Sequence, residues 1–234
     1  LGLVTAGNLL QIYMFWELVG ITSFFIISFW NESEKASNAA IKAFFINRIG
    51  DVLFLIGIVL IFLSTNHLEF TSLDKINSFK AINGLPFDSQ LIKTISVMFI
   101  FGGVMAKSAQ FPMHTWLPDA MEGPTPASAL IHAATMVVAG VFLLGRISPL
   151  ITEDAGFLIA VVGCITSLMG GFSAIFQYDI KKVLAYSTIS QIGMMVAGMG
   201  IGAVGGTLFH LTTHALFKAG LFLCAGAVIH HCHH

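Results

Sequence analysis

Charged side chains are scarce in this sequence: Asp, Glu, Lys and Arg together make up 10% of its 234 residues. A soluble domain carries about 25% charged residues, so this chain has too little charge to cover a water-facing surface. Hydrophobic residues supply 56% of the chain, and we therefore predict an all-α integral membrane protein. The net charge of −1 argues against a nucleic acid as a partner, because nucleic-acid binding depends on basic residues.

Cysteine is also rare, and Cys164, Cys224 and Cys232 show no metal-ligand spacing. We interpret Cys164 and Cys224, which lie in apolar runs, as small buried side chains. The sequence has no phosphate-binding loop, no CxxC pair and no dinucleotide-binding glycine motif after a strand. On its own residues, we expect no nicotinamide, flavin, iron–sulfur or haem site in this chain.

Long apolar runs dominate what is present. A membrane-spanning helix needs about 20 mostly apolar residues, and lipid forces such segments to be helical, because it offers the backbone no hydrogen-bond partners. The chain starts at Leu1 rather than Met, and we expect a piece of a longer protein that forms a single membrane domain over residues 1–234. Seven segments meet the length requirement: 8–30, 39–64, 91–111, 126–148, 154–177, 182–204 and 206–229.

Prolines interrupt the third of these segments near its end. Pro112, Pro118 and Pro124 lie in the stretch PMHTWLPDAMEGPT, residues 112–125. Proline removes a helix donor and clashes with the preceding turn, so we predict a spanning helix broken near Pro112 and followed by a half-helix over 113–121. Such breaks mark ion sites in transporters. The alternative is an ordinary proline-rich surface loop.

Acidic and basic residues inside the first two spans are informative because each costs at least ~2.5–3.5 kcal/mol at a helix centre. Glu17 lies mid-span in MFWELVG, too deep to reach the membrane surface. Arg48 and Asp51 are three residues apart and share a helix face. We expect Arg48 and Asp51 to form a supporting ion pair, with a contact between Arg48 and Glu17 as the alternative.

Two further titratable residues lie beside or after the predicted break. Lys107 precedes it, and because desolvation disfavours the charged form of a buried lysine, such a residue can take up and release a proton. The alternative is a lysine that reaches to the membrane surface. His132 lies in the fourth span, and an unperturbed histidine titrates at about pH 6.5. A satisfied core histidine is the alternative.

A polar stripe runs along the seventh span. His210, His214 and Lys218 recur every four residues in FHLTTHALFK, which places all three on one helix face. This pattern suggests a path for protons or water. Two histidines at this spacing also suit a zinc ion, but no carboxylate ligand accompanies them. We assign no role to the terminal HHCHH cluster.

The motifs together resemble a known family. KSAQFPMHTWLPDAMEGPTPASALIHAATMVVAGVFLL is similar to the signature of the proton-antiporter-like membrane subunits of respiratory complex I, multisubunit sodium/proton antiporters and membrane-bound hydrogenases. FWELVG, NRIGDVLFL, DIKKVLAYSTISQIG and FHLTTHALFKAGLFL strengthen the resemblance and favour the subunit 5 type of complex I, the L subunit of bacterial enzymes.

The resemblance implies a fold of two inverted five-helix repeats, of which this chain would supply the fifth to eleventh helices. It implies Glu17 as the acid of a charged pair with Lys107, the central proton-binding lysine, and His132 as the connecting histidine. His210, His214 and Lys218 would line the path to the second half-channel, whereas Asp179 would cap a helix. The family's second broken helix, with its lysine, is absent from this sequence.

The resemblance also implies a function: a proton-translocating subunit of NADH:quinone oxidoreductase with no cofactor in this chain. NADH, FMN, iron–sulfur clusters and quinone would belong to partner subunits. Its partners would be the other membrane-arm subunits, the lipid bilayer and protons. A bacterial inner membrane is the expected location, with the mitochondrial inner membrane as the alternative. A sodium/proton antiporter or membrane-bound hydrogenase subunit and a non-conducting structural fragment remain alternative functions.

Overall fold

The structure is a computed structural model that describes residues 1–73, 79–81, 88–133 and 135–232. Parts of two predicted features lie outside these residues. One is the centre of the polar loop over 65–90, including Asp74, Lys75, Asn83, Gly84 and Pro86. The other is His233 and His234 of the terminal cluster.

The described residues fold into ten α-helices and two short 3-10 turns, Ala120–Glu122 and Ser148–Leu150. In chain order the helices are α1 (Leu9–Ile27), α2 (Glu34–Thr65), α3 (Phe70–Leu73), α4 (Ser89–Lys107), α5 (Trp116–Asp119), α6 (Thr125–Ala133), α7 (Met136–Arg146), α8 (Glu153–Ile175), α9 (Ile180–Gly200) and α10 (Val204–His231).

Seven helical stretches in the described part of the chain are long and apolar enough to cross a membrane, with α6 and α7 together forming the fourth. They match the seven predicted spans, which confirms the all-α membrane fold. Side chains cap the starts of several helices and thereby satisfy orphan backbone donors: those of Asn8, Asp88, Thr152 and Asp179. The Asp179 carboxylate accepts from the Lys181 backbone at 2.9 Å, as expected of a cap.

The helices pack in two groups. On one side α2 lies along α4, and α1 lies against α2. On the other side α8 lies along α9, and α10 packs on α6 and α9. The short α7 contacts both α4 and α9, and its buried positions make it the central element of the bundle. The half-helix after the break, α5, contacts both α2 and α9, so the break lies where the two groups meet.

Glycines allow α8 and α9 to approach closely. A Cβ atom on Gly163 would stand 2.4 Å from the Ala197 nitrogen, and one on Gly193 would stand 2.6 Å from the Ser167 nitrogen. Both contacts are with backbone, which cannot move aside as a flexible side chain can. Small residues at helix interfaces are the usual route to tight packing in a bilayer, where no hydrophobic effect drives helices together.

Two adjacent glycines of α8 provide a matched test of this packing. A Cβ at Gly170 would stand 2.7 Å from the Ser190 nitrogen, whereas one at Gly171 would meet Ser190 Oγ at 3.3 Å. We expect Gly170→Ala to destabilise the protein by about 1–3 kcal/mol through overpacking, and Gly171→Ala to change it little. Thermal unfolding of the detergent-solubilised protein measures the difference, and equal melting temperatures for the two variants would contradict the close α8–α9 contact.

The prediction that Cys164 and Cys224 are buried is wrong. Both side chains are exposed on the outside of the bundle. The apolar runs around them suggest burial in protein. In a membrane-spanning helix, however, the face that points away from the bundle is apolar as well, as exposed Leu168, Phe172 and Leu221 illustrate.

Candidate functional site

The break after α4 is a tightly bonded turn. Lys107 is the last residue of the helix, and Ala109 follows in the left-handed conformation with φ of 49°. The Gln110 backbone N–H donates to the Met105 carbonyl at 2.8 Å, which is the six-to-one bond of a Schellman helix end. Residues up to Glu122 then form α5 and a 3-10 turn. The predicted break near Pro112 is confirmed, although the new helix begins at Trp116 rather than at residue 113.

The segment after the break is packed inside the protein, so the surface-loop alternative is wrong. Trp116, Leu117 and Pro118 are buried, whereas Pro112 is exposed. The Trp116 indole donates to the Ala106 carbonyl at 2.9 Å and so satisfies an acceptor near the end of α4. Irregular backbone inside a membrane protein is tolerated where other protein segments surround it. Here the buried half-helix covers the end of α4.

A second interruption divides the predicted fourth span, residues 126–148. Two helices, α6 and α7, occupy this span. Thr135, which lies between them, has φ of −118° and ψ of −88°, outside the helical region. The Thr135 hydroxyl donates to the Leu130 carbonyl at 2.7 Å, five residues earlier, which is one residue beyond the usual helical spacing. His132 lies in the last turn of α6, next to this interruption. No proline marks it, and the sequence pattern does not predict it.

Lys107 forms a buried pair with Asp51. The Lys107 Nζ lies 3.5 Å from Asp51 Oδ2, and the two side chains are 1% and 3% exposed. Gly20 of α1 makes room for the ammonium group, because a Cβ at that position would stand 2.7 Å from Nζ. Lys107 therefore does not reach to the membrane surface. Three helices, α1, α2 and α4, enclose it.

Arg48 pairs with Glu17 of α1 rather than with Asp51 of its own helix. The expected Arg48–Asp51 ion pair is thus replaced by the Arg48–Glu17 alternative. Both residues lie on the same side of α2, but the short Asp51 side chain faces α4, whereas the long guanidinium extends past Phe44, 4.9 Å from its ring centroid. Arg48 and Glu17 are 36% and 19% exposed, so this pair is less buried than the Lys107–Asp51 pair.

A second polar centre lies between α6 and α10. His132, His214 and Lys218 are buried, with 0%, 0% and 2% exposure. The His132 ring contacts Phe222 of α10 at 5.1 Å between centroids, one turn beyond Lys218. The nitrogens of both histidine rings have no hydrogen-bond partner among the described residues. The structure thus brings His132 together with the predicted stripe of α10.

Helix α9 supplies the partners of this stripe, and these partners are not predicted from the sequence. Lys218 Nζ donates to Ser187 Oγ at 2.6 Å and to the Leu184 carbonyl at 3.2 Å. His210, half-buried, hydrogen-bonds Gln191 Oε1 at 2.9 Å. The spacing of Ser187 and Gln191, four residues apart in an apolar helix, was the available signal. In the described part of the chain, no three His, Cys, Asp or Glu side chains come together as metal ligands.

A polar cleft lies beside the half-helix that follows the break. It measures about 310 Å³ and includes Lys42 and Asp119 in its lining, which form an ion pair at 2.6 Å. Both are more than 40% exposed, so the pair contributes little to stability. Burial, with the nearby charge of Lys42, lowers the pKa of His114.

Comparison with known proteins identifies the family. Residues 6–234 match the profile described as NADH:quinone oxidoreductase/Mrp antiporter, TM. The chain is 52% identical over 233 residues to NAD(P)H-quinone oxidoreductase subunit 5 of the organellar chromatophore of Paulinella chromatophora, covering 98% of this chain and 34% of that protein. It is 52% identical over 235 residues to the chloroplast subunit 5 of Manihot esculenta, covering 98% and 31%. The chain therefore spans about one third of the length of these curated relatives.

Solved structures of related membrane complexes are similar to this chain. A chain of the Mrp complex from Dietzia sp. DQ12-45-1b superposes with a TM-score of 0.87 and 34% identity, over 98% of this chain and 25% of that one. A chain of the membrane-bound sulfane sulfur reductase, an archaeal respiratory membrane complex, gives a TM-score of 0.85 and 25% identity, over 97% and 47%. With seven spans among its described residues, a broken helix and buried lysines, this chain belongs to the NADH:quinone oxidoreductase/Mrp antiporter transmembrane family.

Proposed function

We propose that this chain is part of a proton-translocating membrane subunit of an NADH:quinone oxidoreductase, of the subunit 5 type. The observation that carries the proposal is the pair of Lys107 and Asp51, buried beside a broken helix. A buried ion pair costs several kcal/mol per ion in desolvation, which their mutual attraction only partly returns. As a purely structural feature, such a pair at the end of a broken helix would cost free energy of folding. The same arrangement suits a group that binds and releases a proton.

The proposed mechanism is electrostatic. While Asp51 lies next to it, the Lys107 ammonium is stabilised in its dry pocket. A conformational change that weakens this contact favours loss of the lysine proton, because desolvation opposes an unpaired charge. Glu17, which we expected to act on Lys107 directly, contacts Arg48 instead and would influence the pair through it.

The released proton needs acceptors, and the second polar centre provides them. The unpaired ring nitrogens of His132 and His214 are able to hydrogen-bond water and to carry a proton between waters. Lys218, held by Ser187, is the next basic group. His210, bonded to Gln191, lies further along α10. We assign proton-relay roles to these residues together with Glu17 and Lys107.

The energy for transport would come from quinone reduction in partner subunits, which would hold NADH, FMN, iron–sulfur clusters and quinone. The other membrane-arm subunits and the bilayer complete the list of partners. We place the protein in a bacterial inner membrane, with an organellar membrane as the alternative, because curated relatives come from the cyanobacterium Synechocystis and from chloroplasts.

Membrane vesicles that contain the full-length protein in its complex test this function. We expect NADH to drive formation of a proton gradient, measured with a pH-sensitive dye, at the same rate with and without sodium. Similarity to a chain of an Mrp complex supports the second candidate, a sodium/proton antiporter subunit. A gradient that depends on sodium and not on NADH would favour that candidate. Unchanged proton transport after Glu17→Gln and Lys107→Met together would indicate a structural role alone.

A further inference from the structure

We propose that Trp16 is a positioning residue that acts through Asp51: its indole N–H holds one carboxylate oxygen, so that only the other oxygen faces Lys107. The inference deepens the proposed function, since it concerns how tightly the proton-binding lysine is paired. Trp16 lies on α1, Asp51 on α2 and Lys107 on α4. The arrangement therefore depends on how three separate helices pack.

The geometry of Trp16 is well defined. Its Nε1 donates to Asp51 Oδ1 at 2.9 Å, and the side chain is completely buried. Phe54, one turn after Asp51 on α2, packs against the indole edge-to-face with ring centroids 5.2 Å apart. The indole is enclosed by protein on all sides, and its hydrogen bond keeps the N–H directed at the carboxylate.

This hydrogen bond leaves the Lys107 pair loose. A charge-assisted contact between an ammonium and a carboxylate is usually about 2.7–2.9 Å long, whereas Lys107 Nζ lies 3.5 Å from Asp51 Oδ2. With Oδ1 bonded to Trp16, the carboxylate is oriented so that Oδ2 is the oxygen that contacts the lysine. We infer that the looser pair allows Lys107 to release its proton at a useful rate.

Helix α1 also contributes one partner of the neighbouring ion pair, Glu17–Arg48. Glu17, the residue after Trp16, contacts Arg48, one turn before Asp51 on α2. Two consecutive residues of α1 therefore bond two residues of α2 across one interface. The other titratable group that faces Asp51 from α1 is Tyr13, whose ring packs on Phe54 at 5.6 Å. A shift of α1 along α2 would alter both carboxylate contacts at once.

Trp16→Phe in the full-length protein within its complex tests the inference, because it removes the N–H donor and keeps an aromatic ring. We expect Asp51 to move both oxygens onto Lys107 and tighten the pair. NADH-driven proton translocation in vesicles should fall by about three- to tenfold near neutral pH, and the pH of half-maximal rate should rise by about one unit. Assembly of the complex should be unchanged.

Phe54→Leu is the matched control, since it disturbs the packing of the indole but leaves its hydrogen bond. An unshifted pH profile in Phe54→Leu and a shifted one in Trp16→Phe supports the inference. Equal profiles in both variants, or no shift in Trp16→Phe, overturns it. If the wild-type protein itself translocates no protons, the proposed function fails instead.

A second variant covers the case in which Trp16→Phe does not assemble. Trp16→Gln keeps an N–H donor that does not titrate, and its profile decides the question. A profile like that of the wild type supports a role for the donor. A profile shifted to higher pH, in spite of the retained donor, shows that the bulk of the tryptophan matters and overturns the inference.

Discussion

Replacing Lys107 with methionine in the full-length protein is expected to reduce NADH-driven proton translocation to below about one tenth of the wild-type rate, equivalent to at least about 1.4 kcal/mol of added barrier. Methionine approximates the length of the lysine chain but cannot bind a proton. Lys107 is buried against Asp51. No other lysine in the described part of the chain contacts Asp51, so none is placed to replace it. The rate of dye quenching in vesicles provides the measurement.

Assembly of the complex is expected to survive this change. Asp51 keeps its hydrogen bond from Trp16, although loss of one partner of a buried pair typically costs about 3–5 kcal/mol. Lys93→Met is the matched control, because Lys93 lies on the same helix, α4, and is half-exposed. Native gels and quinone reductase activity report assembly. Proton translocation by Lys107→Met at the rate of Lys93→Met would contradict the proposed role.

Lys218→Met is expected to have the second largest effect, with at least about a tenfold loss of proton translocation. Lys218 is buried in the centre that contains His132 and His214, and its ammonium is bonded to Ser187. Without it, a proton that leaves His132 would find only the histidines of α10 as acceptors, which are weaker bases than lysine. Dye quenching in the same vesicles measures the loss.

The control for Lys218 is Lys182→Met, near the start of α9 and only half-buried. Its charge lies outside both buried centres, so we expect nearly normal transport. An equal loss in the two variants would point to a general effect of removing a positive charge. Normal transport in Lys218→Met would restrict the relay to the Lys107 side of the protein.

The sequence predicted the scaffold well, since hydropathy is a local property. Each span is recognisable as a run of about 20 apolar residues. Pro112 and Pro118 indicate the break because proline lacks a backbone N–H and clashes with the preceding helical turn. The interruption at Thr135 carried no such mark. It depends on a hydroxyl bond to Leu130, and threonine is common in unbroken membrane helices.

The residues of the site could be predicted from sequence, but their pairing could not. Lys107, Asp51 and Glu17 stood out because charge is expensive in lipid. Which carboxylate faces the lysine depends on the rotation of α1 and α2 about their axes, and Lys107 and Asp51 are 56 residues apart. The same limit applies to Trp16. In MFWELVG its indole is indistinguishable from an ordinary apolar side chain, because its hydrogen-bond partner Asp51 lies on another helix.

The most direct test is the number of protons translocated per NADH oxidised in the double variant Lys107→Met with Asp51→Asn. This variant removes both charges of the buried pair and leaves neither of them uncompensated, so the complex should assemble and reduce quinone. We predict that its proton yield falls below that of the wild type while quinone reduction continues. A proton yield equal to that of the wild type would show that the pair has no part in proton transport.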